Sequence, residues 1–152
     1  MAATHNFLSY LTDLSQKVKG ANGQLSDILS TIKCTPQGSD LGLIIFLMYI
    51  NDLPLNIINS LCALFADGNN LPFSGPPSAI RLHLMKIEED LNRVFKWMKG
   101  NGLKLNTGKT QAIVLGMPND IAKVGQIKIN FAGHKISSYG TLKTIGVTFD
   151  PT

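Results

Sequence analysis

A single carboxylate stands in the most distinctive stretch of this sequence, LCALFADGNNL at residues 61–71. The apolar start of the stretch predicts a buried strand, and the small polar residues after Asp67 predict a tight turn into a return strand. This fold would place Asp67 at the tip of a hairpin. A carboxylate there can ligate a divalent cation, although a lone acidic residue in a turn is more often structural.

The segment NTGKT at residues 106–110 is a second candidate for chemistry, because a Gly-Lys-Thr run can bind phosphates. A Walker loop has four residues between its first glycine and the Gly-Lys-Thr, and it follows a strand and opens a helix. Here five residues separate Gly102 from Gly108, and the predicted order is helix and then strand. The pattern therefore argues against a nucleoside triphosphatase.

The other polar groups do not form a recognisable catalytic set. We interpret Glu88-Glu89-Asp90 as the solvated face of a helix. Cys34 and Cys62 lack a CxxC spacing, which indicates free, buried thiols in a reducing compartment. No zinc site is indicated by the three dispersed histidines, His5, His83 and His134.

Composition and charge indicate a globular intracellular protein. Of the 152 residues, 44% are hydrophobic and 16% are charged. The longest apolar run, residues 41–50, is too short to span a membrane, and the first residues do not resemble a signal peptide. We therefore expect no membrane association and a location in the nucleus or cytoplasm. Residues 76–152 carry eleven basic and five acidic side chains, which weakly indicates a polyanionic partner.

The elements of the first half follow from periodicity and turn residues. Helical spacing of apolar residues predicts a helix over 4–14, and Asn22-Gly23 predicts the turn of a hairpin. After a bend at residues 35–39, the run 41–53 is apolar nearly all round, which predicts a fully buried helix that Pro54 ends.

The second half begins with an amphipathic helix and continues in short strands. With fewer than three heptads, packing on a sheet is favoured over a coiled coil. Alternating segments separated by glycine predict the strands LKLN, GKTQAIVLG, GQIKINFAG, HKISSYG and LKTIGVTFD. The order of elements predicts an α+β fold, with helices on one face of a largely antiparallel sheet. The apolar positions of the helix are Ile80, Leu84, Ile87, Leu91, Val94 and Met98.

Four ordered segments together resemble a known family. They are similar to the palm of a reverse transcriptase, an RNA-directed DNA polymerase, and most resemble the LINE-like, jockey-type non-long-terminal-repeat retrotransposons. The resemblance extends from about Phe7 to Asp150. Its segments are PQGSDLGLIIFLMYINDLP, LFADG, WMKGNGLKLNTGKT and LKTIGVTFD.

The resemblance implies a role for each matching residue. Asp67 matches the first aspartate of the family's catalytic hairpin, a Mg²⁺ ligand. Lys109 matches a catalytic lysine near the leaving pyrophosphate, and residues 145–147 match the start of the primer-gripping hairpin. An RNA template and a DNA primer are the implied partners. The motif that lines the template and nucleotide site is matched by Pro36, Gln37, Gly38 and Ser39.

The departures from the family concern the metal ligands. Two-metal nucleotidyl transfer needs several carboxylates around two ions about 4 Å apart. Gly68 stands where the family has a second aspartate, and the third carboxylate belongs to an upstream motif not found in residues 1–152. Asp40 or Asp52 could replace them only by leaving its predicted helical position. We expect a single partial palm domain, without fingers or the first acidic motif, in which one ligand of three remains.

Three interpretations stay open from the sequence. The chain is a degenerate palm that is inactive alone and that a partner chain would complete, a non-catalytic module that binds nucleic acid or a partner, or a relic that folds poorly. Primer extension, nucleic-acid titration and the cooperativity of unfolding distinguish these three.

Overall fold

The structure is a computed structural model that describes residues 8, 10–31, 38–66, 68–144 and 146–150. The chain divides into two compact units, residues 1–50 and 51–152. Helices and small, mostly antiparallel sheets give the predicted α+β fold class. In order, the elements are β1 (Ser15–Gln16), β2 (Leu29–Ser30), α1 (Asp40–Ile50), β3 (Ala63–Phe65), β4 (Gly68–Asn70), α2 (Ile80–Gly100), β5 (Ala112–Ile113), α3 (Pro118–Val124), β6 (Lys128–Phe131), β7 (His134–Tyr139), β8 (Leu142–Thr144) and β9 (Val147–Phe149).

The first unit contains the predicted hairpin. β1 pairs antiparallel with β2, and an isolated bridge joins Lys19 to Leu25. Gly23 turns the chain at φ 82°, a conformation that glycine adopts without steric cost. Of the helix predicted over 4–14, residues 4–7 and 9 lie outside the described residues. Leu8, Tyr10 and Leu11 are helical, whereas residues 12–14 are not.

The apolar run after the bend forms α1, but the helix ends at Ile50 rather than at Pro54, which lies in a 3-10 helix, Leu53–Asn56. The expected full burial of this helix is also wrong. Only Gly42 and Ile50 are buried in this helix. An all-apolar sequence favours burial on every side, yet the covering surface has to come from other elements, which helical periodicity does not reveal. The large side chains left between 43% and 66% exposed are Leu43, Ile44, Leu47, Met48 and Tyr49.

The core of the second unit lies between α2 and the sheet β5-β7-β6. Leu91 of α2 packs with the inward side chains of β6 and β7, and the Phe95 and Phe131 rings meet edge to face at 6.2 Å. The predicted packing of the amphipathic helix on a sheet is therefore confirmed. The buried members of this core are Leu91, Ile127, Ile129, Phe131 and Ile136.

The tail contains one wrong prediction and one helix that periodicity does not predict. The segment 103–106 forms no strand, and the helix α3 lies between two of the predicted strand segments. An alternating apolar and polar pattern leads to a strand only where a neighbouring strand is available to pair with it. At seven residues, α3 is too short for a periodic signal; it begins at Pro118 and ends before Gly125 at φ 64°.

Candidate functional site

The stretch 61–71 folds as the predicted hairpin. β3 and β4 are antiparallel, with Phe65 opposite Gly68, and Ala66 lies in the turn at φ 50°. Asp67 itself lies outside the described residues. The prediction of a buried strand is wrong for β3, because Ala63 and Phe65 are exposed. β3 pairs only with β4, in a sheet of two strands. β4 ends at Asn70, two residues before Pro72, which has no backbone N–H to donate to a paired strand.

The segment that leads into β3 is held by a buried carboxylate on α2. The side chain of Asp90 is fully buried and accepts the backbone N–H groups of Ile58, Asn59 and Ser60 at 3.1, 2.9 and 2.7 Å. The Asn59 side-chain amide donates to the same carboxylate at 3.2 Å. Arg93 completes the arrangement with an ion pair at 3.0 Å. These bonds fix the entry of the hairpin to the helix.

The interpretation of residues 88–90 as a solvated face is therefore wrong at Asp90. Glu88 also has a structural contact, since its carboxylate accepts the backbone N–H of Asn130 at 2.6 Å. The helical spacing of the sequence does indicate that Asp90 is buried. With Ile87, Leu91 and Val94 it occupies positions i, i+3, i+4 and i+7 of one face. An aspartate in an apolar stripe is expected to be paired.

The environment of Asp90 also sets its ionisation. Burial alone raises the pKa of the carboxyl group, but the three backbone N–H donors stabilise the anion more strongly and lower the pKa below its ordinary value. The carboxylate is therefore charged at neutral pH. Its charge is satisfied within the protein by these donors and by Arg93.

Lys109 lies in a short 3-10 turn, Thr107–Lys109, directly before β5. Its side chain is exposed and forms no ion pair with any residue that the structure describes. The turn precedes a strand rather than opening an α-helix, as expected for a segment that is not a Walker loop.

The residues of the PQGS motif are only partly described. Pro36 and Gln37 lie outside the described residues. Gly38 has φ 81°, which requires glycine, and Ser39 accepts the N–H of Gly42 at the start of α1 through its carbonyl at 3.1 Å. These two residues belong to the first unit, whereas the β3–β4 hairpin belongs to the second.

Two of the three residues that match the primer-gripping hairpin, Gly146 and Val147, lie in the β8–β9 hairpin. β8 pairs antiparallel with β9, with Thr144 opposite Val147, and Gly146 adopts φ 76° between them. Ile145 lies outside the described residues. A hairpin at this place agrees with the resemblance, although its strands are three residues long.

The carboxylates that the structure describes do not fit a two-metal centre. Among them and the described His and Cys residues, no group of three or more could hold a metal ion. Gly68 supplies no side-chain ligand, and Asp52 accepts a hydrogen bond from the Trp97 indole at 3.3 Å. Asp40 remains in the first turn of α1. Asp40 belongs to the first unit, and the recorded side-chain bond of Asp52 is to α2 rather than to the hairpin.

Two further sequence predictions concern thiols and membranes. Cys62 is a half-buried free thiol whose pKa is raised by burial, whereas Cys34 lies outside the described residues. No helix within the described ranges is both long and apolar enough to cross a bilayer.

Comparison with known proteins gives one match. A sequence model of the family described as reverse transcriptase (RNA-dependent DNA polymerase) matches residues 3–136. The matched region includes Asp67 and Lys109 and ends before residues 145–147. Neither the curated proteins nor the solved structures yielded a match.

Proposed function

Because the chain belongs to the reverse transcriptase (RNA-dependent DNA polymerase) family, we propose that it is a palm fragment that does not polymerise DNA by itself. The observation that carries the proposal is Gly68, the first residue of β4, which follows Asp67 directly where a second carboxylate would be needed. Its origin in a LINE-like, jockey-type retrotransposon is part of this proposal and rests on the sequence motifs.

The chemistry explains why one carboxylate is insufficient. Reverse transcriptases use divalent metal ions, and two-metal catalysis requires ligands that hold both ions against the attacking and leaving oxygens. Mg²⁺ bound through one carboxylate keeps most of its waters and is held weakly. In our proposal Asp67 is the remaining metal-ligand position, and the 152 residues are one partial palm domain. Lys109 and the segment Pro36–Ser39 are former catalytic and template-binding positions.

Primer extension tests this proposal. The purified chain is incubated with an RNA template, an annealed DNA primer, deoxynucleotides and Mg²⁺ or Mn²⁺, beside an active reverse transcriptase as control. We expect no template-dependent extension from the chain alone. Extension by the isolated chain would overturn the proposal. The fluorescence of Trp97, the single tryptophan, verifies in the same sample that the second unit is folded.

A second candidate function is a non-catalytic module that binds nucleic acid inside the cell, in the nucleus or cytoplasm. The observation that favours it is the charge of residues 104–149, which carry six lysines, all exposed, and one acidic residue, Asp120. The carboxylate of Asp120 is paired with Lys123 at 3.0 Å. A surface of this kind attracts phosphates and releases counterions on binding.

Titration with labelled single-stranded nucleic acid tests the second candidate. We expect binding at about 50 mM salt that weakens steeply as salt is added. No binding at about 50 mM salt would exclude this function. The outcome is independent of primer extension, since binding does not require the missing metal ligands.

A further inference from the structure

The open edge of β7 borders a groove in the second unit. β5 pairs with β7 only at Ser138 and Tyr139, so that the edge of β7 over residues 134–137 has no strand beside it. A groove of about 710 Å³ lies between this edge and the segment 107–110. The unpaired backbone groups of this edge therefore border the groove.

The hydrogen-bond register between β6 and β7 decides which backbone N–H groups of β7 face the groove. The N–H of Ser138 donates to the carbonyl of Ile127 at 3.0 Å, so that Ser138, Ile136 and His134 are the residues of β7 that turn their backbone groups towards β6. The intervening residues, Lys135 and Ser137, therefore turn theirs towards the open edge. An open edge of this kind presents both N–H and C=O groups, and its N–H groups can donate to anionic oxygens.

The side chains that line the groove are also suited to an anionic ligand. Ile136 points into the core, and the alternation of the strand places Lys135, Ser137 and Tyr139 on the opposite face. Lys135 is exposed and Tyr139 is 51% exposed. Among the eleven residues that line the groove, all of them described, none carries a carboxylate. The walls add neutral donors and acceptors from Thr107, Thr110 and Gln126.

The surroundings of the groove are basic as well. Lys109 is exposed on the turn that forms one wall, and Lys128 is exposed opposite Ser137 on β6. Glu88, whose carboxylate accepts the backbone N–H of Asn130, lies at β6, on the other side of β7 from the groove. The charge of the groove thus complements an anionic chain.

We propose that this groove binds the sugar-phosphate backbone of single-stranded nucleic acid. Lys135 and the N–H groups of Lys135 and Ser137 contact phosphates, and Tyr139 provides the ring on which one base stacks. The proposal rests on the second candidate function and deepens it by naming the surface. A peptide strand added to the edge of β7 is the rival occupant; its backbone would pair with the open edge, but a neutral peptide would gain nothing from the charge of Lys135.

Fluorescence anisotropy with fluorescein-labelled oligo(dT) and oligo(rU) of about 12 nucleotides tests the groove. The variants of the full chain are Lys135→Gln, Tyr139→Leu and Tyr139→Phe. The matched control is Lys96→Gln, because Lys96 is an exposed lysine on α2, the helix that covers the other face of the sheet. Trp97 fluorescence during urea unfolding shows whether each variant retains its fold.

The expected results separate charge from stacking. Lys135→Gln weakens binding severalfold and lowers the slope of log K against log salt by about 0.7, the value for one phosphate contact on a single strand. Tyr139→Leu weakens binding about fivefold or more, whereas Tyr139→Phe binds like the unmodified chain because it keeps the ring. Lys96→Gln leaves affinity unchanged.

Each contrary result has a distinct meaning. If the unmodified chain binds and both Lys135→Gln and Tyr139→Leu behave like Lys96→Gln, the groove is not the site, although the second candidate function stands. If Tyr139→Leu alone is without effect, the stacking role is wrong. If the unmodified chain binds neither oligonucleotide, both the groove and the second candidate function are excluded. Light scattering that then shows self-association would support strand addition at the edge instead.

Discussion

The backbone N–H of Ser60 donates to the carboxylate of Asp90 at 2.7 Å, across a sequence separation of 30 residues. Ser60 lies just before β3, and Asp90 lies in the middle of α2. The hairpin that carries Asp67 is therefore entered from a segment tied to the core helix. A side chain without any role in the family motifs holds the backbone next to the most prominent motif.

Replacing Asp90 is expected to destabilise the second unit. Asp90→Asn removes the charge that the three N–H groups and Arg93 satisfy, and it leaves the arginine without its buried partner. Because Arg93 is 38% exposed, the loss comes mainly from the hydrogen bonds to the buried charge, and we expect about 1.5–3 kcal/mol in the free energy of unfolding. Urea unfolding followed by Trp97 fluorescence measures the loss.

The neighbouring Glu89 supplies the control for this measurement. Its side chain is 59% exposed, and its distance to Arg93 is 3.8 Å. Glu89→Gln is expected to change the free energy of unfolding by less than about 1 kcal/mol, because exposed ion pairs contribute little. Equal effects of the two substitutions would contradict the anchoring role of Asp90.

The lowered pKa of Asp90 predicts a loss of stability in acid. In the unfolded chain the carboxyl group titrates near its ordinary value of 3.8, and in the folded protein it titrates below that value. The contribution of Asp90 to the free energy of unfolding is therefore fully present above pH 3.8. It is lost as the pH falls below 3.8 and passes through the lower pKa of the folded protein. Unfolding free energies from about pH 7 down to about pH 3 should fall more steeply for the unmodified chain than for Asp90→Asn. Parallel pH profiles would show that Asp90 is not the group responsible.

Two leucines of α2 test its packing on the sheet. Leu91 is 9% exposed in the core, whereas Leu82 on the same helix is 51% exposed. Leu91→Ala should lower the free energy of unfolding by about 2–5 kcal/mol, since it leaves a cavity against β6 and β7. Leu82→Ala should cost less than about 1 kcal/mol. A larger effect at Leu82 would indicate that this face is covered by another helix, as in a coiled coil.

Restoring one family residue is expected not to restore catalysis. Gly68→Asp supplies the second carboxylate of the hairpin, but the upstream ligand is still lacking. A Cβ at this position lies 3.2 Å from the carbonyl oxygen of Phe65, so that a small backbone adjustment suffices and the hairpin should persist. Primer extension with Gly68→Asp should equal that of the unmodified chain. Measurable synthesis by this single variant would show that the missing ligands have been misidentified.

The sequence alone determined most of the elements around the site. The hairpin at 61–71, the helix after the bend and the amphipathic helix all form where periodicity and turn residues place them, because these signals are local. The family can also be identified from the sequence, because each motif is a short contiguous segment, such as the one around Asp67 or the one around Lys109. The loss of the second carboxylate is visible in Gly68 itself.

Only the tertiary structure decided which polar groups are buried and which apolar ones are exposed. Asp90 is part of a charged run in sequence, yet its burial depends on Ile58–Ser60 folding over it from a distant segment. The apolar face of α1 is exposed because burial requires a covering layer that composition does not specify. The groove beside β7 likewise exists because β5 pairs over two residues only, and strand pairing is set by contacts between distant parts of the chain.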